Sequence, residues 1–271
     1  MIKELRNWCF AAGSEVNLTN CQTYLGAAVQ YCFGLRASNI CWKGPSSKHF
    51  LKSNDVVLET TDNRFFFRHE VSTSGCVAED FVAVHLLPET CKTGKWGNGI
   101  LSIHSKTPEE GLLLKDLICW SMVSVANHDE LFFSHSYTDK HGRYQNKKLV
   151  NKEVSSAMKS TASRLGLDPE WFTTHCNRIG AATDMSAVFG KEEALKILGW
   201  TSDAGLTYTR IGSRENSMSI LKENKNLTVP EILRMKAFSR TSAPNPSCLE
   251  LHGNFVHQTT DDCGMETILP V

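Results

Sequence analysis

Between residues 18 and 33 the apolar positions Leu25, Ala28, Val29 and Cys32 recur at steps of three and four. That spacing lines one face of an α-helix, and the predicted helix runs straight into Phe33-Gly34-Leu35-Arg36. From about residue 49 the pattern changes. Val56-Val57-Leu58, Arg64-Phe65-Phe66-Phe67 and Phe81-Val82-Ala83-Val84-His85 are short β-prone runs. Thr93-Gly94-Lys95-Trp96-Gly97-Asn98-Gly99 reads as a turn, and Ile100-Leu101-Ser102-Ile103 as a returning strand. A small antiparallel sheet at about 55–105 is therefore expected inside a helical protein. From about 109 the helical period returns, with helices predicted at 112–125, at 154–165 before Gly166, and at 191–198 before Gly199. Thr174 is a candidate N-cap for a further helix that carries His175 and Arg178. Residues 229–238 suit one more helix. Beyond about 240, Pro244, Pro246 and a lack of apolar periodicity suggest a disordered tail. The fold class expected is mainly α with a small antiparallel β-sheet.

Composition narrows the class without naming a function. The chain has 271 residues, 41% of them hydrophobic and 21% charged, enough to bury a substantial core. Lys+Arg and Asp+Glu balance at 29 each, so no global excess of base points to nucleic acid. A local basic face can still serve that role. Ten Cys are scattered with no C-x-x-C and no zinc-ligand spacing, so no metal is expected. No secretory signal or membrane-length apolar run is seen, and reduced thiols in an intracellular protein are the simplest account.

The chemistry concentrates in two segments. The first reads His175-Cys176-Asn177-Arg178-Ile179-Gly180-Ala181-Ala182-Thr183. His175 and Arg178 are one helical turn apart and share a face. The second reads Leu198-Gly199-Trp200-Thr201-Ser202-Asp203-Ala204-Gly205-Leu206-Thr207-Tyr208. A guanidinium is always charged and its planar fork fits a phosphate. An imidazole moves protons. An indole N–H donates and cannot accept, and a phenol can bond covalently to phosphorus. With Arg36, the set suits attack on a phosphodiester. Each member also has an ordinary reading: a surface Arg, a core Trp, an isolated His. Lys140, Arg143, Lys147, Lys148 and Lys152 form a basic stretch that either follows a DNA backbone or is a solvated loop before a helix.

Taken in order, Arg36, the Arg178-Ile179-Gly180-Ala181-Ala182-Thr183 run and the Gly199-Trp200…Tyr208 run resemble the catalytic domain of tyrosine recombinases, of the Crypton and DIRS-like type found in eukaryotic mobile elements. The resemblance covers roughly residues 18–212. It implies a phage-integrase-like catalytic domain that cuts and rejoins DNA through a 3′-phosphotyrosyl link. Tyr208 would be the nucleophile, Arg36 and Arg178 the phosphate clamp, and His175 and Trp200 donors to the phosphate, His175 also moving the proton. The family's general-acid lysine on a β-hairpin corresponds to Lys92 in Cys91-Lys92-Thr93-Gly94-Lys95, with Lys95 as the rival. The long Arg36-to-Lys92 spacing implies an insertion around 59–80. Where the family often has a carboxylate three positions after the first Arg, this chain has Asn39, expected to orient the Arg fork without a counter-charge.

The resemblance divides the chain into a leader at 1–17 with the core-binding domain absent, a catalytic domain at 18–215, a helical segment at 216–240 and a tail at 241–271. It implies double-stranded DNA as partner, a dimer or tetramer on that DNA, a nuclear location, no membrane and no cofactor. Lys95, Lys140, Arg143, Lys147 and Lys148 are the candidate DNA-backbone contacts. Two other functions fit the same residues: a DNA-binding remnant that no longer recombines, and a type IB topoisomerase.

Overall fold

A computed structural model describes residues 1–10, 17–71, 73–88, 90–91, 94–95, 101–104, 108–123 and 130–198. The expected helix at 229–238, the tail, Trp200 and Tyr208 lie outside them. Among the described residues the protein is mainly helical with a small antiparallel sheet.

Helix α1 (Ile2–Cys9) precedes helix α2 (Leu18–Phe33). The segment read as a leader thus contributes a helix, and Leu5 and Cys9 of that helix are buried. Arg6 donates Nε and Nη2 to the two oxygens of buried Asp116, at 2.7 and 3.0 Å, which fixes α1 to the body. Helix α2 matches the sequence expectation at both ends. Asn17 caps it by accepting from Thr19 N–H at 2.9 Å. It is buried on nearly every side from Cys21 to Gln30 rather than along one stripe. Its polar residues therefore need internal partners. Tyr24 donates to Asp116 at 3.1 Å, Gln22 pairs with His135 Nδ1 at 2.7 Å, and Gln30 turns toward the end of the helix.

After the one-turn helix α3 (Ala37–Ile40) the chain enters the sheet. Strands β1 (Val56–Thr60), β2 (Phe65–Phe67), β3 (Phe81–Leu86) and β6 (Leu101–His104) are arranged β2-β1-β3-β6, all antiparallel. The segment between β1 and β3 supplies the edge strand β2 and the short helix α4 (Arg68–Val71). Between β3 and β6 lies a small pair, β4 (Thr90–Cys91) with β5 (Gly94–Lys95). The sheet's inner face buries Val56, Leu58, Val84, Leu86, Leu101 and Ile103 in the main core, where the sheet meets helix α5 (Pro108–Val123). That helix begins four residues earlier than expected. Pro108 suits the first helical position, where no N–H is needed.

The segment expected to stay helical or loop-like after α5 instead contains a hairpin. Strand β7 (Ser134–Thr138) pairs with β8 (Tyr144–Lys148). Its turn is held by Asp139, whose Oδ1 accepts from His141 and Arg143 N–H at 2.8 and 3.0 Å. Helix α6 (Asn151–Arg164) follows, then α7 (Thr174–Phe189) and α8 (Lys191–Ile197). The cap of α7 is Thr173, not Thr174. Thr173 Oγ1 accepts from His175 N–H at 3.3 Å, while the Thr174 hydroxyl donates to Asn151 at 2.6 Å and ties α7 to α6.

On the sheet's outer face Glu59, His85 and Ser102 form one hydrogen-bonded row. His85 Nε2 lies 2.9 Å from Glu59 Oε2 and Nδ1 lies 2.8 Å from Ser102 Oγ. A carboxylate has no donor, so the imidazole must donate from Nε2. That bond holds the Glu59 carboxyl below its usual range against the opposing effect of burial. The stabilisation is present above the unfolded carboxyl pKa of about 4.3 and is lost as pH falls through the lower folded value. Glu59→Gln is expected to destabilise the protein more at pH 7 than at pH 3. Urea midpoints at the two pH values check this; an equal loss at both would show that the charge on Glu59 contributes nothing.

Candidate functional site

The C-terminal end of α2 is the point where the segments bearing Arg36 and Arg178 meet. Gly34 closes the helix in the left-handed conformation, at φ 57°, a region that suits Gly. Leu35 N–H returns to the Gln30 carbonyl at 3.0 Å. Arg36 N–H donates to Asn39 Oδ1 at 3.1 Å, and Asn39 Nδ2 donates to the His49 carbonyl at 2.8 Å. Asn39 therefore holds the Arg36 backbone, not the guanidinium fork expected from the sequence. The reason is local: Asn39 occupies the third position of α3, from which an amide reaches back to the residue that opens the helix. The Arg36 side chain itself is half-buried.

Helix α7 crosses α2 at this turn. Arg178, only 7% exposed, donates Nη1 to the Gly34 carbonyl, two residues before Arg36. Its neighbour Asn177 donates Nδ2 to Gln30 Oε1 at 3.0 Å, and Gln30 Nε2 donates to the Leu35 carbonyl at 3.1 Å. The small residues of the Arg178–Thr183 run set the approach. A Cβ at Gly180 would sit 2.9 Å from the Tyr31 ring, and Ala181 Cβ lies 3.6 Å from where a Gly34 Cβ would be. One turn further along α7, the Tyr31 hydroxyl donates to Asp184. Burial pushes the Tyr31 phenol up, and burial likewise raises the Asp184 carboxyl. Leu198, buried after α8, packs on Gly34 as well. Three motif segments, at 34–36, 178–181 and 198, thus share one small volume.

His175 is exposed on the first turn of α7, one turn before buried Arg178. Lys92 falls between the ends of β4 and β5, outside the described residues, as do Trp200 and Tyr208. Lys95 is on β5, its backbone paired with Thr90. The remaining basic candidates sit on the β7–β8 hairpin, and three of them have internal contacts. Arg143 Nη2 lies 3.0 Å from Asp139 and Lys147 Nζ 3.1 Å from Glu153. Lys148 Nζ stands 4.1 Å over the Trp42 ring. Lys140 in the hairpin turn and Lys152 on α6 are exposed. Among the described residues no group of His, Cys, Asp or Glu is placed to hold a metal, and no helix is long and apolar enough to cross a membrane.

Sequence reasoning missed Gln30 and Asn177. The one available signal was an amide within the otherwise apolar second half of α2. No protein-family model matches the chain, and no curated protein matches it.

The junction is sensitive to one methyl group. In Gly34→Ala the new Cβ would stand 2.0 Å from Leu198 Cδ2 and would keep a positive φ. A loss of about 2 kcal/mol in unfolding free energy is expected. Adding Leu198→Ala removes the clash, so the double variant should lose less than the sum of the two singles. Additive losses in denaturant unfolding would show that Leu198 does not press on Gly34.

Proposed function

We propose that the chain is a tyrosine-recombinase-type catalytic domain that breaks and rejoins double-stranded DNA. The observation that carries this reading is the bond from Arg178 to the Gly34 carbonyl. It brings the second arginine motif against the turn that bears the first, although 142 positions separate Arg36 from Arg178.

In this reading the two guanidinium groups face one scissile phosphate, neutralise it and stabilise the added charge of the pentacoordinate transition state. The Tyr208 phenol attacks phosphorus; a free phenol titrates at about 10, so its proton must be taken up as it attacks. Its proton passes to His175 or water, and the Trp200 indole donates to a phosphate oxygen. The bond to the 5′ oxygen breaks, and Lys92 or Lys95 protonates that oxygen. The products are a 3′-phosphotyrosyl link and a free 5′ hydroxyl. A 5′ hydroxyl from another strand attacks the link, releases Tyr208 and restores the phosphodiester. The link conserves the bond energy, so rejoining needs no nucleotide. A dimer or tetramer on DNA, acting in the nucleus, completes the proposal.

A second reading is a DNA-binding remnant that keeps the arginine junction without strand exchange. The internal contacts of Arg143, Lys147 and Lys148 favour it, because they leave fewer cations for the phosphate backbone.

The test is incubation with a pool of nicked duplexes of randomised sequence, followed by denaturing gels. A nick next to the cut lets a short fragment leave and traps the adduct. The native protein is expected to form a covalent adduct and Tyr208→Phe none, with nearly unchanged DNA affinity, since affinity comes mainly from backbone contacts. An adduct that persists in the Phe variant moves the nucleophile elsewhere; no adduct with the native protein selects the remnant. Relaxation of supercoiled plasmid without a specific site would place the chain with type IB topoisomerases instead.

Arg178→Lys keeps the charge but loses the planar fork. Its adduct yield is expected to fall at least about 100-fold, within the range seen when a transition-state donor is removed. Cleavage near the native rate in that variant would show that the fork is not used.

A further inference from the structure

We infer that Gln30 is a positioning residue of the cleavage site: its side-chain amide sets the helix of the second arginine against the turn of the first. The inference rests on the recombinase reading above.

Gln30 is 1% exposed and Asn177 3% exposed. A buried primary amide is costly unless both of its ends find partners, and an apolar residue of similar size would fill the same volume more cheaply. Gln30 uses its two ends in opposite senses. Nε2 donates to the carbonyl of Leu35, the residue before Arg36. Oε1 accepts from Nδ2 of Asn177, the residue before Arg178. One amide therefore reaches to within one residue of each arginine. The main-chain carbonyl of Gln30 also accepts the Leu35 N–H, so the same residue holds Leu35 at both its N–H and its C=O. Only an amide of this length does all of this. Glu has no donor for the Leu35 carbonyl, Met has neither donor nor acceptor of comparable strength, and Asn is one methylene short.

The consequence is geometric. Two rigid forks must meet one phosphate, and a misplacement of about 1 Å can cost about 100-fold in rate. Arg178 is tied to Gly34 by its own guanidinium, the group that must also serve the phosphate. The Gln30 bridge fixes the same spacing through atoms that take no part in the chemistry.

The experiment compares the native chain with Gln30→Met and Asn177→Ala on the randomised nicked pool, then on one captured sequence carrying either a normal phosphate or a methylphosphonate at the cut. The methylphosphonate is uncharged and depends less on two well-placed cations. Gln30→Met is expected to slow adduct formation about 10- to 100-fold. Its DNA affinity should stay within about threefold of the native value. The loss should shrink on the methylphosphonate. Asn177→Ala should behave alike, and the double variant should be no slower than the worse single, because each breaks the same bridge.

Folding is checked by circular dichroism, and if Gln30→Met does not fold, Asn177→Ala carries the same comparison. A folded variant that cleaves near the native rate, or one whose loss is equal on both linkages, overturns the positioning role. If the native chain forms no adduct on the pool, the recombinase reading fails and the role falls with it. A native adduct with unaffected variants sinks the positioning role alone.

Discussion

Helix α2 ends inside the protein, and a helix that ends away from water must still find partners for its last carbonyls. Here the need is met in two ways. Gly34 and Leu35 fold back so that their N–H groups reach Tyr31 and Gln30. Beyond them, the Gly34 and Leu35 carbonyls are taken by Arg178 and by the Gln30 side chain. The same shortage of water that demands these bonds makes them selective. A donor must come from a helix that packs closely enough to bring it, and α7 does so because Gly180 and Ala181 present almost no side chain at the crossing. Backbone satisfaction, close packing and the approach of Arg178 to the turn that precedes Arg36 are thus one event seen at three levels.

The electrostatics follow from that placement. Arg178 is buried beside a dipole and not on an open surface. A cation held in a dry site has a stronger pull on an incoming anion than one dissolved in solvent, because the local dielectric is lower. Arg36 differs. Its backbone is held by Asn39 while its half-buried side chain remains nearer to solvent. The two arginines are anchored by different parts of themselves, one through its guanidinium and one through its peptide N–H.

Part of this fold is legible in the sequence. Helix α2 was read at both ends because its interior is apolar and Gly34 stops it. The sheet was read because its strands are rich in Val and Phe and a Gly-rich segment leads into the last of them. The β7–β8 hairpin was not, because Ser136, Thr138, Gln145 and Asn146 give it no apolar alternation and its register rests on Asp139. The cap of α7 was misplaced by one residue because two adjacent threonines are equivalent in sequence and differ only in what lies beside them; Asn151 claims one of them. The arginines were legible as residue types, but the amides that link the residues preceding them were not. Gln30 and Asn177 follow no motif, and their roles exist only once α7 lies across α2.

The balance of charge gains meaning from the same details. Equal numbers of acidic and basic residues leave a DNA-binding face to local arrangement. The hairpin that supplies most of the clustered cations has three of them leaning on Asp139, Glu153 and Trp42. Exposed pairs of this kind are weak, about 1 kcal/mol or less, and salt screens them further. A phosphate backbone can displace such partners, and the released Asp139 and Glu153 then stand beside the DNA as like charges. On the proposed reading, binding through the hairpin would therefore yield less than a count of its lysines and arginines suggests. On the proposed recombinase reading, the affinity that holds a duplex over the arginine junction comes largely from elsewhere on the molecule, or from further copies of the chain on the same DNA.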